Sequence, residues 1–290
     1  MAAGPVLMPG VFNPISALSA ARAGAKALYA TGAGLTNGNL GVPDIALATL
    51  TEFAAFGAAI TSVTDLPVIS DADTGFGEAL NVARCVREME RAGLAGIHLE
   101  DQESPKRCGH LDGKRLIAPA AMAAKVFAAC ESRRDPSFMI VARTDARGVE
   151  GLEAAISRAQ LYVRAGADAI FPEGLGSEEE FATFRSAVSA PLMANMTEFG
   201  KTPIIPFSRF AEMGYEMVIY PMTAFRVMLR ALDETYAELL TKGTQEGLLP
   251  MMRTRAELYE TLDYKGFEAR DLAWSEKASR LDSGGFTGGG

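Results

Sequence analysis

Apolar residues along this chain recur in two alternating patterns. Short runs of aliphatic and β-branched residues stand at 6–8, 27–30, 67–71, 96–100, 138–143, 169–173, 192–195 and 217–221. Between them lie stretches such as 81–92, 152–165 and 178–188, apolar at helical spacing and otherwise polar or charged. The runs, short and bounded by turn residues, predict strands; the stretches predict helices that bury one face. Strict alternation of the two implies parallel strands joined by crossover helices.

A weak internal repeat supports that organisation. Arg22-Ala23-Gly24, Arg91-Ala92-Gly93 and Arg164-Ala165-Gly166 each close a helix shortly before a strand, and Met213-Gly214 does so before the last one. Glycine just past a helix end takes positive φ with no Cβ penalty. An open doubly wound sheet and a closed barrel both satisfy the alternation. Eight units within 290 residues favour closure, since a (β/α)8 barrel ordinarily needs about 250 residues. The expected fold is therefore α/β, a single (β/α)8 TIM-type barrel over residues 1–243. A long helix runs from Arg226 to about Thr241, a charged helical extension covers 244–282, and a glycine-rich tail at 283–290 is expected to be disordered.

Composition narrows the functional classes. An apolar share of 48% is ample for a large core. The net charge of −8 repels phosphate backbones and anionic lipid, which argues against nucleic-acid and membrane partners. No apolar run reaches bilayer-spanning length and no basic segment precedes an apolar one near Met1, so a cytoplasmic location is expected. Three cysteines, Cys85, Cys108 and Cys130, are an odd number that fits a reducing compartment better than a disulfide framework. With two histidines and no Cys-x-x-Cys pair, a transition-metal site built on soft ligands is excluded.

In a parallel barrel, reactive side chains gather where strands end. Here those ends carry Tyr29 and Thr31, Asp71 and Asp73, Glu100, Arg143, Glu173 and Asn195. Asp71, Asp73 and Glu100 would repel one another without a cation, and an all-oxygen set selects Mg2+ or Mn2+. Each alone is equally compatible with a helix cap or a solvated loop acid. The loop Lys106-Arg107-Cys108-Gly109-His110 sets a thiol among two fixed cations and an imidazole. Cys85 and Cys130 fall on apolar helix faces, whereas Cys108 in its polar loop reads as reactive. Neighbouring cations favour thiolate, so a general-acid role needs a polyanionic substrate to offset them.

Three further features stay open at this level. The stretch from Thr31-Gly32-Ala33-Gly34 to Gly38 lacks the spacing of a dinucleotide loop; it reads as a backbone nest for a carboxylate or as a plain turn. His98 shares a strand face with Glu100 and either supports it or is a satisfied core histidine. Arg143 ends an apolar strand and needs an anion, either Glu173 or a substrate carboxylate.

These residues resemble a known family. Asp71-Ala72-Asp73-Thr74-Gly75-Phe76-Gly77 resembles the metal-binding segment of the isocitrate lyase and phosphoenolpyruvate mutase superfamily. His98-Leu99-Glu100-Asp101-Gln102 with Lys106-Arg107-Cys108-Gly109-His110 resembles its lyase signature, and the likeness continues through Ala142-Arg143-Thr144-Asp145, Phe171-Pro172-Glu173, Asn195-Met196-Thr197-Glu198 and 255–264. The resemblance implies that Asp71 binds Mg2+ (or Mn2+), with Asp73 and Glu100 holding it through water. It implies Cys108 as the catalytic acid, Tyr29 as candidate base, and Lys106 and Arg107 beside them. Thr31, Gly32 and Ala33 would cradle the carboxylate of a 2-oxo acid product. Asp44, Gly109, His110, Arg143, Glu173, Asn195 and Thr197 would bind the rest of a small di- or tricarboxylate.

The implied reaction is retro-aldol cleavage of a carbon–carbon bond, and the likeness is nearest to the branch that splits 2-methylisocitrate into pyruvate and succinate. Ala33 in place of a glycine and the stretch Thr36-Asn37-Gly38-Asn39 depart from that branch, while 110–115 is closer to carboxyphosphonoenolpyruvate mutases. Cleavage of 2,3-dimethylmalate, hydrolysis or decarboxylation of oxaloacetate, and the carboxyphosphonoenolpyruvate phosphonomutase reaction are the alternatives within the superfamily. The resemblance also implies a homotetramer, a dimer of dimers that exchange the C-terminal extension. On physics alone the apolar residues of 244–282 could instead pack on their own barrel.

Overall fold

In the computed structural model, residues 4–111 and 113–283 are described. Eight strands follow one another: β1 (Val6–Val11), β2 (Leu28–Ala30), β3 (Val68–Asp71), β4 (Gly96–Glu100), β5 (Met139–Thr144), β6 (Ala169–Pro172), β7 (Met193–Asn195) and β8 (Met217–Tyr220). All are parallel, in the order β6-β5-β4-β3-β2-β1-β8-β7. An isolated parallel bridge between Ile170 and Leu192 joins the two ends, so the sheet closes into the expected barrel. Every predicted run is a strand. The largest difference is β1, which continues to Val11 because Gly10 pairs with Tyr29 of β2. Gly10 has no side chain there for good reason, as a Cβ would lie 2.1 Å from the carbonyl oxygen of Pro221.

Period-two alternation divides the core into two layers. Met8, Tyr29, Ile69, Val141, Phe171 and Met217 point into the barrel, while Leu28, Val68, Ile97, Ile140, Ile170 and Val218 face the helices around it. Helix Ala79–Arg91 shows how the outer layer is built. It buries Val82, Cys85, Val86 and Met89, one stripe at i, i+3, i+4 and i+7. The helix-closing glycines Gly24, Gly93, Gly166 and Gly214 all have positive φ, between 78° and 102°.

The glycine-rich stretch after β2 is not the loop or turn expected. Thr31 caps a short helix, Gly32–Leu35, its Oγ1 accepting from the Gly34 N–H. The chain then widens into a π-helical turn, Thr36–Leu40, which ends at Gly41 with φ 67°. Asn39 fastens this turn by donating to the carbonyls of Leu35 and Phe12.

The chain divides into two compact units, the first running to Ala231 and the second from Leu232 onward. The second includes helices Arg255–Thr261 and Tyr264–Ser283, with Tyr259 stacked on Tyr264 at 4.6 Å. It leaves Leu249, Met251, Phe267, Leu272 and Trp274 exposed. Of the tail expected to be disordered, Ser283 closes the last helix and 284–290 lie outside the described residues. Among the described residues no helix is long and apolar enough to cross a membrane.

Candidate active site

The C-terminal ends of β3 and β4 bring Asp71, Asp73 and Glu100 together, all buried. The Asp73 N–H donates to Asp71 Oδ1 at 2.8 Å, so the chain curls over the strand end. That curl puts Asp73 at φ 47°, a left-handed conformation that aspartate tolerates better than most side chains. Buried Lys106 reaches back from its loop to Asp44 at 2.6 Å and Asp73 at 3.0 Å. Burial raises the Asp71 carboxyl, but His98, Lys106 and Arg143 outweigh it and hold the group below its ordinary range. Burial and the charges of Asp71 and Asp44 push Asp73 up to about 7 despite Lys106. Glu100 is driven well above its usual value, mainly by burial.

These acids fit a hard cation. Asp73 Oδ1 and both Glu100 oxygens are buried without a hydrogen-bond partner, although Lys106 and Arg143 stand at ion-pair distance but off hydrogen-bond direction. Unmet oxygen lone pairs on raised carboxyls are what a divalent cation relieves. Among the described residues no three His, Cys, Asp or Glu side chains converge closely enough to grip an ion directly.

His98 links this acidic cluster to Tyr29. The Tyr29 hydroxyl lies 2.8 Å from His98 Nε2, and the two rings stack at 5.8 Å. Nε2 is also 3.6 Å from Asp71 Oδ1. Burial lowers the imidazole to about 4, so His98 is neutral. Burial, and after it the charge of Asp71, raises the Tyr29 phenol well above its ordinary value.

Arg143 at the end of β5 settles which anions it pairs with. NH1 is 3.2 Å from Glu100, Nε and NH2 grip Asp145 at 3.0 and 3.2 Å, and NH2 is 3.4 Å from Glu173. The guanidinium also lies over the Phe171 ring at 5.1 Å. Glu173 accepts from Asn195 Nδ2 at 3.1 Å and faces His110 Nε2 at 3.0 Å. Because His110 Nδ1 accepts the Lys201 N–H, the proton of a neutral ring sits on Nε2, toward Glu173. Burial works against the Glu173 charge, but Arg143, His110 and Asn195 together hold its carboxyl well below the ordinary range.

One cavity of about 70 Å³ collects most of the predicted residues. Tyr29, Thr31, Ala33, Asp44, Asp71 and Lys106 line it from one side; Cys108, Gly109, His110, Arg143, Glu173, Asn195 and Thr197 complete the ring. Asp73, Glu100 and Gly32 stand behind that wall, in contact with its residues. Arg107 is exposed and does not line the cavity. Cys108 is exposed, unlike Cys85 in the core. Sequence reasoning missed Phe171, Ile219, Pro221 and Met222 in the lining. Their signal was position alone, at the ends of β6 and β8, and apolar side chains there look like core.

Known proteins resemble this chain over most of its length. The family model described as phosphoenolpyruvate phosphomutase matches residues 1–240. A 2-methylisocitrate lyase of Aeropyrum pernix is 56% identical over 276 residues, covering 95% of this chain and 89% of that protein. The structure of an oxaloacetate acetylhydrolase in complex with the inhibitor 3,3-difluorooxalacetate superposes with a TM-score of 0.88 at 34% identity, covering 94% of this chain and 93% of the other. A phosphonopyruvate hydrolase complex with oxalate and Mg2+ superposes with a TM-score of 0.84 at 27% identity, over 92% and 93% of the two chains.

Proposed function

The chain belongs to the phosphoenolpyruvate mutase and isocitrate lyase superfamily, and from that membership we propose that it is a magnesium-dependent lyase splitting 2-methylisocitrate into pyruvate and succinate. The observation that carries this reading is the shared cavity, where a phenol, a thiol, carboxylates and a buried guanidinium face one small space. Asp71 would hold Mg2+, with Asp73 and Glu100 bound to it through water. Bound there, the ion would supply positive charge to the oxygens of the 2-hydroxy acid and offset the Asp71 charge that keeps the Tyr29 phenol protonated.

The remaining roles fall to the chain's own side chains. Arg143 binds a substrate carboxylate, and Glu173, kept ionised by its three neighbours, orients Arg143, His110 and Asn195 around the substrate. Thr31, Gly32 and Ala33 cradle the carboxylate of the pyruvate half, with Asp44 and Lys106 beside them, while Gly109 and Thr197 line the other half. Tyr29 takes the hydroxyl proton after passing its own phenolic proton to the neutral His98 Nε2, 2.8 Å away. As the bond from the hydroxyl-bearing carbon to its neighbour breaks, that carbon becomes the carbonyl of pyruvate and the electron pair passes to the succinate fragment. Cys108 then delivers a proton to that fragment, with Arg107 next to it in the loop.

We assign catalysis to residues 1–243 and assembly to the extension, 244–282. The apolar side chains exposed there are covered by a second copy in a homotetramer built from two swapped dimers. Three free cysteines favour a reducing, cytoplasmic setting. The test is product formation from 2-methylisocitrate, isocitrate, 2,3-dimethylmalate and oxaloacetate. Pyruvate and succinate from the first, with the highest kcat/KM of the four, is the expected result. A second reading, oxaloacetate hydrolysis, is favoured by the difluorooxalacetate-bound neighbour; acetate and oxalate as the dominant products would replace the first reading with it.

A further inference from the structure

Lys114 is a buried lysine outside the roles assigned above. Its side chain is 3% exposed, and lysine is buried so deeply only when its charge and donors are met. Nζ donates to the Gly109 carbonyl and lies 3.2 Å from Asp145 Oδ1. Asp145 is the carboxylate that also takes two bonds from Arg143, and its backbone N–H is held by Asp101 Oδ1 at 2.9 Å. Gly109 is where the cysteine loop touches the site, since a Cβ there would fall 2.3 Å from Glu173 Cγ and 2.5 Å from Arg143 NH2. On the other side of Cys108, the Gln102 amide binds both the carbonyl and the N–H of Arg107, each at 2.9 Å. The exposed thiol thus lies between two tethered residues, and Lys114 is the tether on the Gly109 side.

We infer that Lys114 is a positioning residue that joins the Gly109 carbonyl to the Asp145 carboxylate, seating the Cys108 loop against Arg143. Two consequences follow from the charges. Asp145 is shared between two cations, so Arg143 is not left to neutralise it alone and retains charge for a substrate carboxylate. Gly109 is fixed relative to Arg143, so the adjacent thiol has a defined place over the cavity. Loss of the ammonium therefore weakens substrate binding and misplaces the proton donor together.

This role rests on the lyase reading for its catalytic consequence, but not for the tether itself. The experiment uses the full chain with Mg2+, comparing the wild type with Lys114→Met and Lys114→Arg. With 2-methylisocitrate, Lys114→Met should lower kcat by about 100-fold, the scale of a misplacement near 1 Å, and raise KM. Lys114→Arg should recover part of both, because it restores a cation beside Asp145. Hydrogen exchange without substrate should speed up in Lys114→Met within peptides covering 103–111 and stay unchanged in the barrel strands. Wild-type kcat, KM and loop exchange in Lys114→Met would overturn the inference. So would faster exchange across the whole barrel without rescue by arginine, since Lys114 would then support the fold at large. If the wild type cleaves none of the four acids, the lyase reading fails, and the exchange measurement alone decides the tether: faster exchange confined to the loop upholds it, unchanged exchange overturns it.

Discussion

A side chain at Gly32 would set its Cβ 2.3 Å from Asp71 Oδ2, so the carboxylate keeps its place only because residue 32 is glycine. Gly32→Ala should displace Asp71 and weaken Mg2+ binding by about 10- to 100-fold, the range seen when the support of a metal ligand is lost. The check is activity as a function of Mg2+ after chelation, with calorimetric titration of the metal. In the wild type, chelator should abolish turnover, Mg2+ or Mn2+ should restore it, and Zn2+ should not. An unchanged Mg2+ requirement in Gly32→Ala would remove Asp71 as the ligand.

Cys108→Ser should keep the fold, because the thiol is exposed and packs no core, while turnover drops by about 10²–10⁴, the usual loss when one acid step is removed. Thermal melting and succinate binding should match the wild type. Near wild-type kcat would mean that another group delivers the proton.

Alkaline pH should destabilise the barrel through Tyr215. Its hydroxyl donates to the buried Phe181 carbonyl at 2.9 Å, and burial raises its pKa. Above about pH 10 the unfolded phenol sheds its proton while the folded one keeps it. The unfolded state then binds fewer protons, so stability falls as pH rises, and is undiminished below that point. Tyr215→Phe should lose about 1 kcal/mol at neutral pH for the missing hydrogen bond, yet show a shallower decline between about pH 9 and about pH 11, the range around the free phenol value. Parallel declines in urea denaturation would exclude Tyr215 as a source.

The extension should govern assembly. Light scattering of the full chain should give a tetramer mass. A chain ending at Gly243 should form smaller, aggregation-prone or inactive species, because large side chains such as Phe267 and Trp274 no longer supply contact surface. A full-length monomer at micromolar concentration would rule out the swapped tetramer.

The strands were legible because a barrel strand buries both faces and so reads as an unbroken apolar run. The acids and Arg143 were legible because a charged residue ending such a run has few structural excuses. Other parts depend on tertiary context that no local pattern carries. Gly32 and Gly34 cost about 1 kcal/mol each in a helix relative to alanine, so a short helix there is counter-indicated locally. Glycine is required at both positions all the same, because a Cβ at 32 would strike Asp71 and one at 34 would strike Thr31 and Phe12. Met222, with Thr31 Oγ1 3.7 Å from its sulfur, is chemically identical to a core methionine until the strands are closed into a ring. Asp145 and Lys114 read as loop charges, and their burial against each other depends on contacts between segments distant in sequence.

The junction between β6 and β7 has a consequence for how the barrel breathes. Its other seams are laddered strand pairs, such as the five registered residues of β4 and β5. This one has a lone bridge at Ile170 and Leu192, with the Ile170 N–H donating to Pro191. Transient parting of the cylinder should begin there, where the fewest backbone bonds must be given up. The bond from Asn195 to Glu173 spans the same gap at its upper rim, so the residues that meet the substrate also clasp the weakest stave. A ligand gripping both would tighten the cylinder from its mouth, and saturation with substrate would register as slowed amide exchange at Ile170, three residues below Glu173.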